Sequence, residues 1–264
     1  MTALLLLAIA PVVMWLVQSA LLATHGLPIR LRLDAGDAPA IVRTGGRITT
    51  QVVLLGILIG YPLLRGQSPV AYYRSLLPRE GLGDFALGAA AASLFLCTLF
   101  LAWIATDLLR VEVHHSRRKW IRRLALLPAT ALFGAFVEEF LFRGVVMADV
   151  MASPTLSRGG PWFAVGVSTV VFAVAHYVRA VKRHWTVFGH LALGILLSVA
   201  FLQTRSLWLP AGLHAGGILL IMGVRPFVRY RGPAWLVGAS IFPFAGVAGI
   251  VGLCIMTAYV WTHR

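Results

Sequence analysis

Long apolar runs alternate with short polar connections along the whole chain. Eight runs approach or exceed the roughly 20 residues that a helix needs to cross a hydrocarbon core. They cover residues 3–23, 48–64, 85–105, 124–146, 162–178, 186–202, 207–223 and 234–261. This pattern predicts an all-α fold, a polytopic membrane bundle of about eight transmembrane helices forming one integral domain over 1–264. The third run is rich in alanine, which suits close helix packing. Residues 65–84 carry Tyr72 and Tyr73 and read as an interfacial segment. No Lys or Arg precedes the first run and no clear cleavage site follows it, so it reads as a retained helix.

Charge refines the picture. Only 12% of the 264 residues are charged, yet the net charge is +14. Most Lys and Arg fall in the loops after the first, third, fifth and seventh runs. Examples are Arg30 and Arg32, Arg110 and Arg117, Arg179 and Lys182, Arg225 and Arg229. The positive-inside rule places those loops in the cytoplasm and both termini outside. Basic groups so placed meet anionic headgroups, which argues against nucleic acid as a partner. The expected setting is a multi-pass position in the bacterial inner membrane. Asp107 and Arg110, at i,i+3 past the third run, read as a boundary pair. Cys97 and Cys254 lie inside apolar runs without a Cys-x-x-Cys neighbour and read as buried packing residues.

The fourth run holds the unusual feature. Glu138, Glu139 and Arg143 interrupt an otherwise apolar segment. Ionisable groups at membrane depth are expensive, so each marks a candidate site. On a helix the two acids point about 100° apart. Glu139 and Arg143 stand at i,i+4, where acid and base can pair. Glu138 shares its face with Ala131, Gly134, Ala135 and Phe142, and this small-residue surface leaves room for another backbone or a substrate. Glu138 is therefore the chemical candidate and Glu139 its support. The fifth run ends on Phe172-x-x-x-His176, and the seventh carries His214 among small residues. One or two carboxylates with two imidazoles suffice to activate a water and stabilise an oxyanion. They also suffice to hold zinc or another divalent metal through Glu138, His176 and His214. Residue types alone leave both routes open.

Other groups read as weaker candidates. His190, near the start of the sixth run, suits helix packing. His114, His115 and His184 fall in basic loops, and Asp149 adds a polar group just past the fourth run. There is no His-Glu-x-x-His, no Gly-x-Ser-x-Gly and no phosphate-binding glycine loop.

These three elements, in this order, resemble the CPBP (Abi) family of intramembrane proteases, which contains the type II CAAX prenyl endopeptidases. Glu138-Glu139-x-x-x-Arg143 matches its first motif, Phe172-x-x-x-His176 its second, and His214 after a Pro/Gly-containing stretch its third. The likeness covers about 124–223. It implies that Glu138 is the general base, aided by His176, that His214 faces the oxyanion, and that Glu139 and Arg143 support them. The family has been described both as metal-dependent and as metal-free. One position departs: Ile218 stands where the prenyl endopeptidases have Asn, four residues after the histidine. The implied function is hydrolysis of a peptide bond in a peptide or membrane-protein substrate. A non-catalytic peptide-binding or immunity protein on the same scaffold is a second reading. A small proton-coupled transporter is a third, but no internal repeat supports it.

Overall fold

The computed structural model describes residues 2–29, 38–113, 116–177 and 184–263, with the backbone alone at His184. Arg30, Arg32, His114, His115, Arg179 and Lys182 lie outside the described residues, as does the His184 side chain. The chain forms α1 (Thr2–Thr24), α2 (Ala40–Leu64), a short α3 (Pro69–Ser75) and α4 (Leu82–Ala105). There follow α5 (Arg117–Glu139), a π-helical stretch (Phe140–Met147) and α6 (Ala148–Ala152), which together make one 36-residue rod. Next come α7 (Gly160–Ala175), α8 (Val187–Thr204), α9 (Trp208–Val224), α10 (Ala234–Val237) and α11 (Val247–His263). Seven helical stretches among the described residues are long and apolar enough to cross a membrane, and α11 is a shorter apolar helix. The architecture is the expected all-α bundle, and the protein is an integral, multi-pass membrane protein.

Helix ends differ from the apolar runs in an instructive way. α5 begins at Arg117, two turns before its apolar run, so the basic residues 117–123 are helical. Arg and Lys are good helix formers, and their stems can lie on apolar surface while the heads reach water. The expected eighth span is broken. Gly238 takes φ 72°, and a side chain there would collide with the carbonyl of Phe242. A tight Ala239–Phe242 bridge and a 3₁₀ turn, Pro243–Ala245, then separate α10 from α11. Tyr72 and Tyr73 turn inward instead of facing the interface. The Tyr73 hydroxyl donates to the Leu58 carbonyl at 2.7 Å, and the Tyr72 hydroxyl donates to the Gly144 carbonyl. Cys254 is exposed on the outer face of α11, so it is not the buried packing residue that its run suggested.

Two basic loops meet outside the bundle. β1 (Leu109–Val111) pairs antiparallel with β2 (Val228–Tyr230), placing Arg110 opposite Arg229. Asp107 holds this corner, accepting from Arg110 at 3.1 Å and Arg231 at 3.3 Å. The expected Asp107–Arg110 pair is present, and its hydrogen bond holds the Asp107 carboxyl below the usual carboxylate range.

The contact that positions the site is the α4–α9 interface. Its small residues let the two backbones touch. A β-carbon on Gly88 would sit 2.6 Å from the Leu209 carbonyl oxygen. One on Gly212 would run into the Phe85 carbonyl, and one on Gly216 into the Ala89 carbonyl. Gly212 and Gly216 form a Gly-x-x-x-Gly face, the small-residue arrangement that lets membrane helices approach closely. His214 lies between them in sequence and on the far side of α9. The α4 contact therefore fixes how deeply His214 is presented. Gly212→Val is expected to push α9 off α4. Overpacking of this kind destabilises by about 1–3 kcal/mol, which thermal unfolding in detergent will read, and peptide cleavage should fall with it.

Candidate active site

The site lies where α5, α7 and α9 converge. Glu138 and Glu139 end α5, and the helix then widens to the π form over Phe140–Met147. A π turn displaces backbone carbonyls from their usual partners. Here two of them are met from other helices. Ser168 Oγ of α7 donates to the Phe142 carbonyl at 2.8 Å, and Tyr72 serves Gly144. This wide turn is frequent at functional sites. It was invisible in the sequence, where the run read as a plain α-helix.

Glu139 is fully buried, as is Arg143. Arg143 Nη1 donates to Glu139 Oε1 at 3.1 Å, and Nη2 donates to the Gly194 carbonyl of α8 at 3.0 Å. The guanidinium also lies 4.8 Å from the centre of the Phe172 ring. The same Glu139 oxygen meets His214 Nδ1 at 2.8 Å. A carboxylate there accepts Nδ1–H, so His214 turns its Nε2 away from the pair and toward Glu138. His176 is oriented by a different device. It caps the end of α7, and its Nδ1 lies 2.8 Å from the Phe172 carbonyl. A carbonyl only accepts, so Nδ1 carries the proton and Nε2 is left to face the site.

Both Nε2 atoms lie 3.7 Å from one oxygen, Glu138 Oε2. The three residues that the motifs singled out thus converge on a single point, and the helices bring them level. Glu138 is a third exposed, whereas its Oε2 is buried without a hydrogen-bond partner. It lines a cavity of ≈ 420 Å³ together with His176 and His214. The rest of the wall is mainly apolar, including Phe95, Leu96, Leu213, Ile221 and Met256. Ile218 is part of this wall and brings no polar atom to it. Glu139 is not part of the wall.

Residues 120–219 match the family model described as type II CAAX prenyl endopeptidase Rce1-like. Over that stretch, which is less than half of the chain, the protein is similar to the CAAX proteases. The match nearly coincides with the segment that the three motifs mark. No curated protein and no solved structure matched the chain.

A divalent ion would take Glu138 Oε2 and the two Nε2 atoms, since these converge. As they stand, no group of three or more His, Cys, Asp or Glu side chains among the described residues is arranged to hold a metal ion.

Two residues carry more than their sequence context suggested. His190 on α8 is buried and lines the same cavity. Its ring centre lies 4.6 Å from that of His176, and its Nδ1 donates to the Thr186 carbonyl at 2.9 Å. Phe242 and Phe244 close over it, at 4.6 Å and 5.4 Å between ring centres. A lone histidine near a helix start gave no signal of this. Asp149 is buried as well. It accepts the backbone N–H of Ala3 at 3.0 Å and pairs with Arg65 at 3.2 Å, tying α6 to α1 and α2. Its work is structural, at a distance from the cavity that it does not line.

Proposed function

We propose that the protein is an intramembrane endopeptidase in which Glu138 activates the attacking water. The observation that carries this reading is the convergence of His176 Nε2 and His214 Nε2 on Glu138 Oε2, at the wall of an apolar cavity.

A water held by Glu138 Oε2 and His176 Nε2 gives its proton to the carboxylate as its oxygen attacks the scissile carbonyl carbon. General-base help of this kind contributes about 10²–10⁴-fold. Negative charge builds on the former carbonyl oxygen. His214, protonated on both nitrogens, donates Nε2–H to it while Nδ1–H stays on Glu139. Charge then balances across the cluster, with Glu138 and Glu139 against Arg143 and His214. When the tetrahedral intermediate collapses, the carbon–nitrogen bond breaks and Glu138 returns its proton to the leaving amine. Glu139 and Arg143 act as positioning residues that hold His214 and the helix. Ile218 leaves the oxyanion to His214 alone, so little redundancy is expected at that atom.

The substrate is a peptide or membrane-protein segment that enters the cavity from the bilayer. The purified protein in detergent should cleave members of an apolar peptide library. Cleavage that persists in a strong chelator supports the metal-free route. Loss with chelator and recovery with zinc would replace it with an ion held by Glu138, His176 and His214. Binding of peptides with no cleavage would favour the non-catalytic scaffold instead.

A further inference from the structure

The face of α9 that presents His214 continues along the cavity. Ile218, Ile221, Met222 and Arg225 all line it. Their spacing from His214 explains this, because steps of 4, 7, 8 and 11 residues return to about the same side of a helix at roughly 100° per residue. Arg225 is therefore the far end of the strip that begins at the oxyanion residue. An eleven-residue separation spans roughly 16 Å at 1.5 Å per residue.

Arg225 is half-buried at that end, and it makes no ion pair among the described residues. The acids nearby are already engaged, Asp107 by Arg110 and Arg231, and Glu112 by Arg229 at 3.7 Å. The close charge that Arg225 does feel is a like one, Arg123 of α5. Arg225 thus stands at one end of an apolar cavity whose wall also holds Glu138, His176 and His214, with the Arg123 charge behind it. An arrangement of that kind lacks its anion.

We propose that Arg225, backed by Arg123, binds a carboxylate carried by the substrate peptide. The inference rests on the endopeptidase reading and assigns a specificity to it. An extended peptide advances roughly 3.3 Å per residue, so the strip sets the carboxylate about four to five residues from the bond at Glu138. Apolar residues between the two would face Ile218, Ile221 and Met222. The source of the carboxylate is either the chain terminus or an acidic side chain.

The test uses the full chain in detergent, with Glu138→Gln protein so that bound peptide stays intact. N-acetylated apolar heptapeptides are made as the free acid and as the carboxamide. A second pair has an amidated end and Asp or Asn at the fifth position. The acid is expected to bind about 10–100-fold more tightly than its neutral twin, as charge-assisted hydrogen bonds allow. Arg225→Gln should erase that preference, and Arg225→Lys should keep part of it. Discrimination in the first pair alone assigns the chain terminus; discrimination in the second assigns a side chain. Equal binding of acid and neutral peptides by protein with Arg225 in place overturns the proposal, whatever becomes of the variants. So does protection by phosphatidylglycerol nanodiscs without any peptide preference, which would make the anion a lipid phosphate. A parent protein that selects the acid peptide but cuts nothing would fail as an endopeptidase while the carboxylate site stood.

Discussion

Glu138→Gln should remove peptide cleavage by about 10²–10⁴-fold and leave the fold standing. Glutamine keeps the shape of the side chain and most of its contacts with the cavity wall. It loses the ability to take a proton from water. The side chain is a third exposed and its Oε2 is without a hydrogen-bond partner, so no buried network collapses with the change. Thermal unfolding should shift by less than about 1 kcal/mol, as for substitutions that leave packing intact. Cleavage by the variant at the parent rate would end the general-base assignment. His176→Gln should act at the same step with a smaller loss, because the carboxylate remains to take the proton.

Arg143→Ala should be the most destabilising substitution in the site. Removing one partner of a buried ion pair costs about 3–5 kcal/mol, since the remaining charge is left without compensation. Here the stranded charge is Glu139, which is fully buried. The guanidinium also gives up the Gly194 carbonyl and its place over the Phe172 ring. The consequence for chemistry is indirect. Glu139 meets His214 through the same oxygen that Arg143 holds, so His214 should lose its fixed position. Adding Glu139→Gln to Arg143→Ala should recover part of the stability, because it removes the stranded charge. It should not restore cleavage, because neutral glutamine cannot hold His214 as an imidazolium. Unfolding in detergent, read beside activity, separates the two effects. A loss of stability below about 1 kcal/mol for the single change would mean that the pair is hydrated in the membrane.

Much of the site was legible because polar groups are so rare in this chain. Two acids and an arginine stand out in an apolar run, and the small-residue side of the helix distinguishes Glu138 from Glu139. In the structure Glu138 lies on the cavity and Glu139 is paired with Arg143 away from it. His176 and His214 were marked by the same scarcity. What could not be read was anything that depends on which helices touch. His190 becomes a neighbour of His176 only because α8 packs on α7 and the Phe242–Phe244 segment folds over it. Asp149 gains its meaning from α1 and α2, remote in sequence. Helix ends were also hidden. Hydropathy ends where charge begins, whereas α5 carries its helix on through five basic residues. In the last run the opposite error arose. Gly238, Pro243 and Gly246 announce a break, but the residues around them are apolar enough to read as one continuous span.

The wide turn after Glu139 has a consequence for how the rod can serve two masters. Its first half must aim Glu138 and Glu139 at α9, while its last turn must aim Asp149 at α1 and α2. An unbroken α-helix would couple those two directions rigidly, about 100° for each residue between them. The π stretch takes in more residues per turn and so shifts the angular phase between the halves. The Glu138 end and the Asp149 end can then each be set by their own neighbours. Shortening Phe140–Met147 by one residue would restore the α phase, and only one of the two ends could remain in register.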